Sequence, residues 1–560
     1  MNKTGRIFVA LMILTFVFTG TQYQIKADNK PNRAEIRALW VDAFRDGIKT
    51  PSQIDQLLQD AVSGNINTLI VQVRRRGDSF YNKSIEPRTE DPDLLPGFDA
   101  LQYLIEQAHA KNIEVHAWLN TLVAWNSVKP PKDSNHVWNQ HGPSTTGKDN
   151  WVSYYRTYDK NKKTWSDRLQ SSYFLDPGHP DVIDYTAAIY LNVVRNYDVD
   201  GIHLDYSRYA GLGWGYNATS VARFNQRYGT EGMPDPDDPR WAEWRREQTA
   251  NLVRKIYLEA IAIKPQIKVS SAVVTWGSGP LTDEDWEKSR ACQEVFQDWR
   301  SWLEEGIIDL VIPMNYFSEW RSSHQKYYNQ WIEWEKDHQY NRQIVIGPGI
   351  YMNYIEDSLE QIRRAQAPSQ QGNYAAGVCL FSYGASNIYS CSDFKTPAAS
   401  RGFPRQPHRY VPETNYKLID ALARPNYIYD PVLERYTHTT PVFSDWVDVP
   451  AMPWKVTPQT GYLMGTINGN NKVYDYTKVT VERVGLLATR RKNQDTDELG
   501  FFKEVYTNGN GWFGLAEVPT GIYRVSINEP EFEGKKVYYI VIKPGQVSEV
   551  WFENKKSGDV

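Results

Sequence analysis

The sequence predicts an α/β fold, a (β/α)8 TIM barrel, followed by a small all-β sandwich. Three observations carry this prediction. Between residues 36 and 383, short apolar segments alternate with longer amphipathic ones, the pattern of repeated βα units. The apolar segments number eight, which closes a parallel barrel. From residue 456 the periodicity switches to alternation broken by turn residues.

Residues 1–27 open with Lys3 and Arg6, continue through the apolar run IFVALMILTFVF and turn polar up to Ala27. That is the layout of a cleaved secretory signal, so the mature chain is expected to begin near Asp28 and to be exported, periplasmic or extracellular. No later stretch is apolar enough to span a membrane. The predicted strands are IRALWV (36–41), NTLIVQV (67–73), IEVHAWL (113–119), DGIHLDY (200–206), IKVSSAV (267–273), DLVIPMNY (309–316), IVIGPGIY (344–351) and GVCLFSY (377–383). Between the first two, Thr50 caps a helix with Pro51 at its first position, Gln53 completes a capping box, and Gly64 ends it. A helix is likewise predicted after Pro180, in VIDYTAAIYLNVVRNY. The rival fold, an open doubly wound sheet, would want a glycine fingerprint after the first strand, and there is none.

Two insertions, at about 120–178 and 207–238, follow predicted strand ends on the face where barrel enzymes build their sites. After residue 384 come a short helical candidate and proline-rich connections. The expected division is therefore a signal at 1–27, a barrel at 28–400, its last helix and a linker at 401–455, and the sandwich at 456–560.

A net charge of −4 supplies no basic field for nucleic acid. Aromatic residues reach 13%, with 20 Trp and 36 Tyr; such flat faces with polar edges suit sugar rings, although large barrels also use them in their cores. The three cysteines, Cys292, Cys379 and Cys391, allow at most one bridge, and Cys379 is expected to be buried in a strand.

Polar and aromatic residues just past barrel strands point at the site. They are Asp42, Arg74, Arg76, Asp78, Asn120, Asp205, Trp276, Asn315, Tyr316, Glu319, Tyr351 and Tyr383. Alternation along a strand lets only one or two of Arg74, Arg75 and Arg76 face the site. The set holds no Cys/His cluster at metal spacing, no HExxH, no GxSxG and no phosphate loop, so neither metal nor cofactor is expected. Carboxylates, amides, guanidiniums and aromatics suit acid/base cleavage of a glycosidic bond. His116 and His203 lie within strands and read as core histidines.

The segments RAEIRALWVDAF (33–44), LIVQVRRRGDSFY, FLDPGHPDVIDY, YDVDGIHLDYSRY and VIPMNYF resemble, in order and spacing over about residues 33–425, the bacterial glycosyl-hydrolase-like family 10 proteins. The resemblance implies a barrel, export, and action on glycans of the cell envelope or surroundings. The family's fourth-strand pattern, an aspartate pair followed by an aromatic, falls on Asp205 and Tyr206, with tyrosine at the second acid position. The same strand is distantly similar to family 18 chitinases, whose DxxDxDxE would lie on Asp200, His203, Asp205 and Ser207; serine stands at the proton donor, so that mechanism is not inherited. The C-terminal run TNGNGWFGLAEVPTGIYRVSI is similar to carboxypeptidase-regulatory-like β-sandwich modules, as spacer, glycan-binding unit or packing partner.

The expected function is hydrolysis of a polysaccharide or peptidoglycan-type glycan, with Asp205 central. The second carboxylate is expected at Glu319, with Asp42 and Asp78 behind it; a solvated loop acid is the other reading of each. Arg74, Asn120 and Asn315 would position substrate, and Trp125 and Trp151 of the 120–178 insertion would stack on it. The alternative is a catalytically silent barrel that binds envelope glycan through its aromatics.

Overall fold

The computed structural model describes residues 33–159, 164–168, 172–387, 414–430, 435–469, 474–484, 500–530 and 532–554. The signal-like segment, Cys391 and the 400/401 boundary lie outside the described residues. Eight parallel strands close the barrel: β1 (Ile36–Val41), β2 (Thr68–Arg74), β3 (Glu114–Asn120), β4 (Gly201–Asp205), β5 (Lys268–Val273), β6 (Leu310–Asn315), β7 (Gln343–Pro348) and β8 (Gly377–Phe381). Each pairs with its neighbours in sequence, and β8 pairs with β1 through Ile36 opposite Gly377. Strands covered by helices on one side and packed on the barrel axis on the other have no wet face, which is why they read as nearly continuous apolar runs.

The first helix, Pro51–Ser63, is capped by Thr50, whose side chain accepts from Gln53 N. The predicted capping box does not close. The Gln53 Oε1 instead accepts from Gly47 N (3.2 Å) and Lys49 N (2.9 Å), so its carboxamide holds the preceding loop. The helix expected after Pro180 spans Pro180–Asn196. The helix Thr414–Ala423 sets Leu418, Ala421 and Leu422 into the main core and packs Ile419 on the first helix at Gly64.

Alternation turns Ala38, Trp40, Ile70, Trp118, Ile312, Val345 and Cys379 to the barrel axis. Trp40 and Trp118 fill its middle around His203, with ring centroids 5.9 and 6.3 Å from the imidazole. Tryptophan Nε1 only donates, so the 3.2 Å contact from Trp40 makes His203 Nε2 an acceptor and leaves Nδ1–H for Ser270 Oγ at 2.8 Å. Burial holds this imidazole well below the usual histidine range. It is a satisfied core histidine. Cys292 and Cys379 are buried free thiols.

The stretch 441–456, expected as a linker, lies across the N-terminal mouth of the barrel. Glu35 N donates to Asp448 O (3.0 Å) and Asn67 Nδ2 to Val447 O (3.0 Å). Trp454 Nε1 donates to Asp309 Oδ1 (2.7 Å), and Lys455 pairs with Asp309 at 3.1 Å. Met452 and Trp454 join the interior cluster, so this stretch is the barrel's floor.

Beyond it, Thr460–Asn468 lies between Trp512–Pro519 and Val547–Glu553 in one sheet. The other sheet runs Phe502–Tyr506, Lys478–Arg483, Gly521–Ile527, Val537–Ile542, and a common apolar core joins the two. The turn at Asn508–Gly511 needs its glycine, because Gly511 has φ +77° and a Cβ there would stand 2.4 Å from Ile467 O. The sandwich packs on the barrel: Tyr462, Met464, Trp512 and Ala516 belong to the barrel's main core, and Arg223 pairs with Asp475 at 2.7 Å.

Candidate active site

Above the tryptophan layer the barrel opens at its C-terminal end into a cavity of about 300 Å³. Strand direction decides what faces it. Along β1, β3 and β4 the parity that sends Trp40, Trp118 and His203 inward also sends Asp42, Asn120 and Asp205 inward, one step higher. The parallel register sets Asn120 directly beside Asp205.

Asp205 is 7% exposed. Its Oδ1 accepts from Tyr206 N (2.7 Å) and its Oδ2 from Trp118 Nε1 (3.2 Å). Burial pushes its carboxyl up to about 6, against the opposing pull of Arg208 and these two donors. Trp118 Nε1 also reaches Asn120 Oδ1 (3.2 Å), which accepts from Gln72 Nε2 (3.0 Å), while Asn120 Nδ2 donates to Arg75 O (2.9 Å). The amide, the indole and the carboxylate are thus held in one hydrogen-bonded row.

Asp42 supplies the second lining carboxylate. It pairs with Arg45 at 2.8 Å and accepts from Phe44 N (3.1 Å) and Ser382 Oγ (3.2 Å). Tyr206 adopts φ +54°, the left-handed region, which aims its ring into the cavity directly after Asp205. Tyr316 and Phe381, stacked 5.0 Å apart, form an aromatic wall with Tyr351 edge-on behind them at 5.8 Å.

Of the residues predicted to form the site, Asp42, Arg76, Asn120, Asp205, Tyr206 and Tyr316 line this cavity. Tyr351, Trp125 and Trp276 stand one layer back. Trp125 lies 5.6 Å from the Arg76 guanidinium and Trp276 lies 5.4 Å from that of Arg208. The remainder is placed elsewhere. Glu319 is bound by Arg364 at 2.6 Å and Gln361 at 3.0 Å, tied to the helix Ile355–Gln366, and is not the second carboxylate of the cavity. A β-bulge between Gln72 and Arg74 turns Arg74 away to a fully buried bidentate pair with Glu86, at 2.6 and 2.8 Å.

Asp78 accepts from Thr89 Oγ1 (2.6 Å) and Arg76 N (2.9 Å) and shapes a turn. Asn315 is out of phase with inward Ile312 and Met314. It donates to Glu335 at 2.8 and 3.1 Å, where burial pushes that carboxyl up to about 8. Tyr383 donates to Asp60 on the first helix (2.7 Å). Trp151 is stacked on His141 at 3.4 Å and packed against Tyr185 in the main core.

Sequence reasoning passed over Gln72, Trp118 and Arg208. The first two carried a readable signal, since an inward polar or indole side chain near a strand top lies on the site side. Arg208 lies three residues beyond β4, where no periodicity fixes its direction. Among the described residues, no group of three or more His, Cys, Asp or Glu is placed to hold a metal ion.

A closed parallel barrel with two carboxylates lining a cavity at its C-terminal strand ends defines the molecule as a (β/α)8 protein with its site where barrel enzymes build theirs. Residues 35–364 match the glycosyl hydrolase-like 10 family, and the chain belongs to it. It is 28% identical over 332 residues to glycosyl hydrolase YngK of Bacillus subtilis strain 168, covering 56% of this chain and 59% of that one. To glycosyl hydrolase DigH of Escherichia coli K12 it is 29% identical over 272 residues, covering 46% and 56%. The chain therefore spans less than two thirds of either relative. Among solved structures it is similar to the PgaB (BpsB) glycoside hydrolase domain of Bordetella bronchiseptica, with TM-score 0.43 and 13% identity over 67% of this chain and 99% of that one.

Proposed function

We propose that the protein hydrolyses O-glycosidic bonds in a glycan, with Asp205 donating the proton to the leaving oxygen and Asp42 serving as the second carboxylate. The carrying observation is the pairing of environments. Asp205 is desolvated and pushed up to about 6, so it holds a proton in mildly acidic solution, whereas Asp42 has its charge matched by Arg45. Two carboxyl groups in unlike surroundings are what acid/base cleavage of an acetal requires. Tyr316, Phe381 and Tyr206 offer faces to the sugar, and Asn120 and Gln72 offer amides to its hydroxyls.

The substrate class is a polysaccharide or peptidoglycan-type glycan, met outside the cytoplasm after loss of residues 1–27. The C-terminal domain is read as a carboxypeptidase-regulatory-like sandwich serving as a packing partner, because its residues share the barrel's core. A barrel that binds glycan without cleaving it is the second reading, favoured by the ion pair that occupies Asp42. Incubating the full chain with peptidoglycan strands, chitin oligomers and neutral polysaccharides and measuring new reducing ends separates the two. Cleavage is expected, and Asp205→Asn is expected to slow it by about 100- to 10,000-fold. Binding with no new ends would leave only the second reading.

A further inference from the structure

The cavity carries more positive charge than two catalytic carboxylates call for. Three arginines, Arg45, Arg76 and Arg208, line it with the two aspartates, in a chain whose net charge is −4. Arg45 is matched by Asp42. Among the described residues, Arg76 and Arg208 make no ion pair. Arg208 is 8% exposed; it donates to Tyr209 O at 3.2 Å, and its Nε has no partner.

Its guanidinium is framed by the rings of Tyr206 at 4.8 Å and Trp276 at 5.4 Å. Arg76 donates to Asn126 Oδ1, also leaves its Nε without a partner, and is framed by Phe44 at 5.8 Å and Trp125 at 5.6 Å. Burial holds both guanidiniums below the ordinary arginine range, with the like charge of Arg75 adding to the effect on Arg76. Arg208 is buried and Arg76 half-buried, and the carboxylates near them, Asp205 and Glu294 for Arg208 and Asp78 and Asp91 for Arg76, form no ion pair with either, so a ligand carboxylate placed between the two forks would supply contacts that the protein does not. Aromatic rings fix the plane of each fork, and a planar fork matches a carboxylate.

We propose that Arg76 and Arg208 form a subsite for a carboxylate borne by the sugar lying against Asp205, so that the substrate is an acidic glycan. The proposal rests on the reading of the cavity as a sugar site. The shared chemistry is a carboxylate on a pyranose, whether as a uronate or as a lactyl ether. The aromatic residues behind the cavity then serve the subsite, since Trp125 and Trp276 hold the two arginines and do not stack on sugar.

The test is equilibrium binding to the full chain carrying Asp205→Asn, which preserves the ligand. Four probes of matched length are used: peptide-free strands containing muramic acid, the same strands with their carboxyls reduced to alcohols, oligogalacturonate, and a chitin oligomer. At least one acidic probe is expected to bind about tenfold or more tightly than the reduced and neutral ones, with the advantage shrinking as salt is raised. Preference for the muramic acid strands identifies the lactyl carboxylate; preference for oligogalacturonate identifies the uronate.

Adding Arg76→Gln or Arg208→Gln should abolish the preference while leaving chitin binding in place. The comparison of native with reduced strands needs no arginine variant, so a poorly folding substitution does not remove the test. Equal affinity for acidic and neutral probes overturns the carboxylate subsite alone. Absence of binding by every probe overturns the sugar site with it.

Discussion

Asp205 links catalysis to stability through one property, its displaced proton affinity. As a general acid it works protonated, so turnover should fall as pH rises through about 6. The folded state holds that proton more tightly than the unfolded chain, whose carboxyl keeps the ordinary 3.8. The resulting stabilisation is fully present below 3.8 and is lost as pH rises through about 6, a difference of about 3 kcal/mol by neutral pH. Asp205→Asn should therefore raise the melting temperature at pH 7, and the gain should disappear near pH 4. An active variant destabilised at pH 7 would place Asp205 in the scaffold instead.

Arg74 behaves oppositely. Its guanidinium is enclosed with Glu86, so Arg74→Gln should cost about 3–5 kcal/mol in denaturant unfolding and reduce folded yield. Asp205 was legible in the sequence because it sits at a strand end with no bulge before it. Arg74 and Asn315 were misread for one physical reason: position at a strand top does not determine which way a side chain points. A bulge turns one, and parity turns the other.

The 120–178 insertion divides into two parts. Phe174, paired through Val123 in a small antiparallel ladder, reaches the cavity wall. Trp151 turns down into the core between His141 and Tyr185. Trp151→Ala is thus expected to cost about 3–5 kcal/mol of stability with little change in glycan affinity; weaker affinity at an unchanged melting temperature would return the ring to the binding surface. The eight barrel strands were readable because strands buried on both sides must be apolar throughout, and that constraint acts locally. The floor was not. Residues 441–456 include several prolines and little periodicity, and their structure comes from the barrel mouth they cover and not from their own preferences.

The sandwich contributes Tyr462, Met464 and Trp512 to the core of the barrel, each such side chain stabilising by about 1.5–3 kcal/mol when fully buried. A chain ending at residue 456 should retain a cooperative thermal transition at a lower temperature. One ending at residue 440 should lose it, because the interior cluster then opens at Met452 and Trp454. Equal melting temperatures for the two truncations would show the floor to be dispensable.

The floor also sets an order of events during synthesis. Arg37 meets Asp445 across 408 residues and Asn67 meets Val447 across 380, so the first two strands are made long before the segment that seals them. A nascent chain holding all eight strands still has an open lower rim, and contacts so distant along the chain form slowly. Sealing of the barrel is therefore a late step, timed by the emergence of residue 456. Until then, the partly made protein leaves the apolar cluster that Met452 and Trp454 complete uncovered at its lower end.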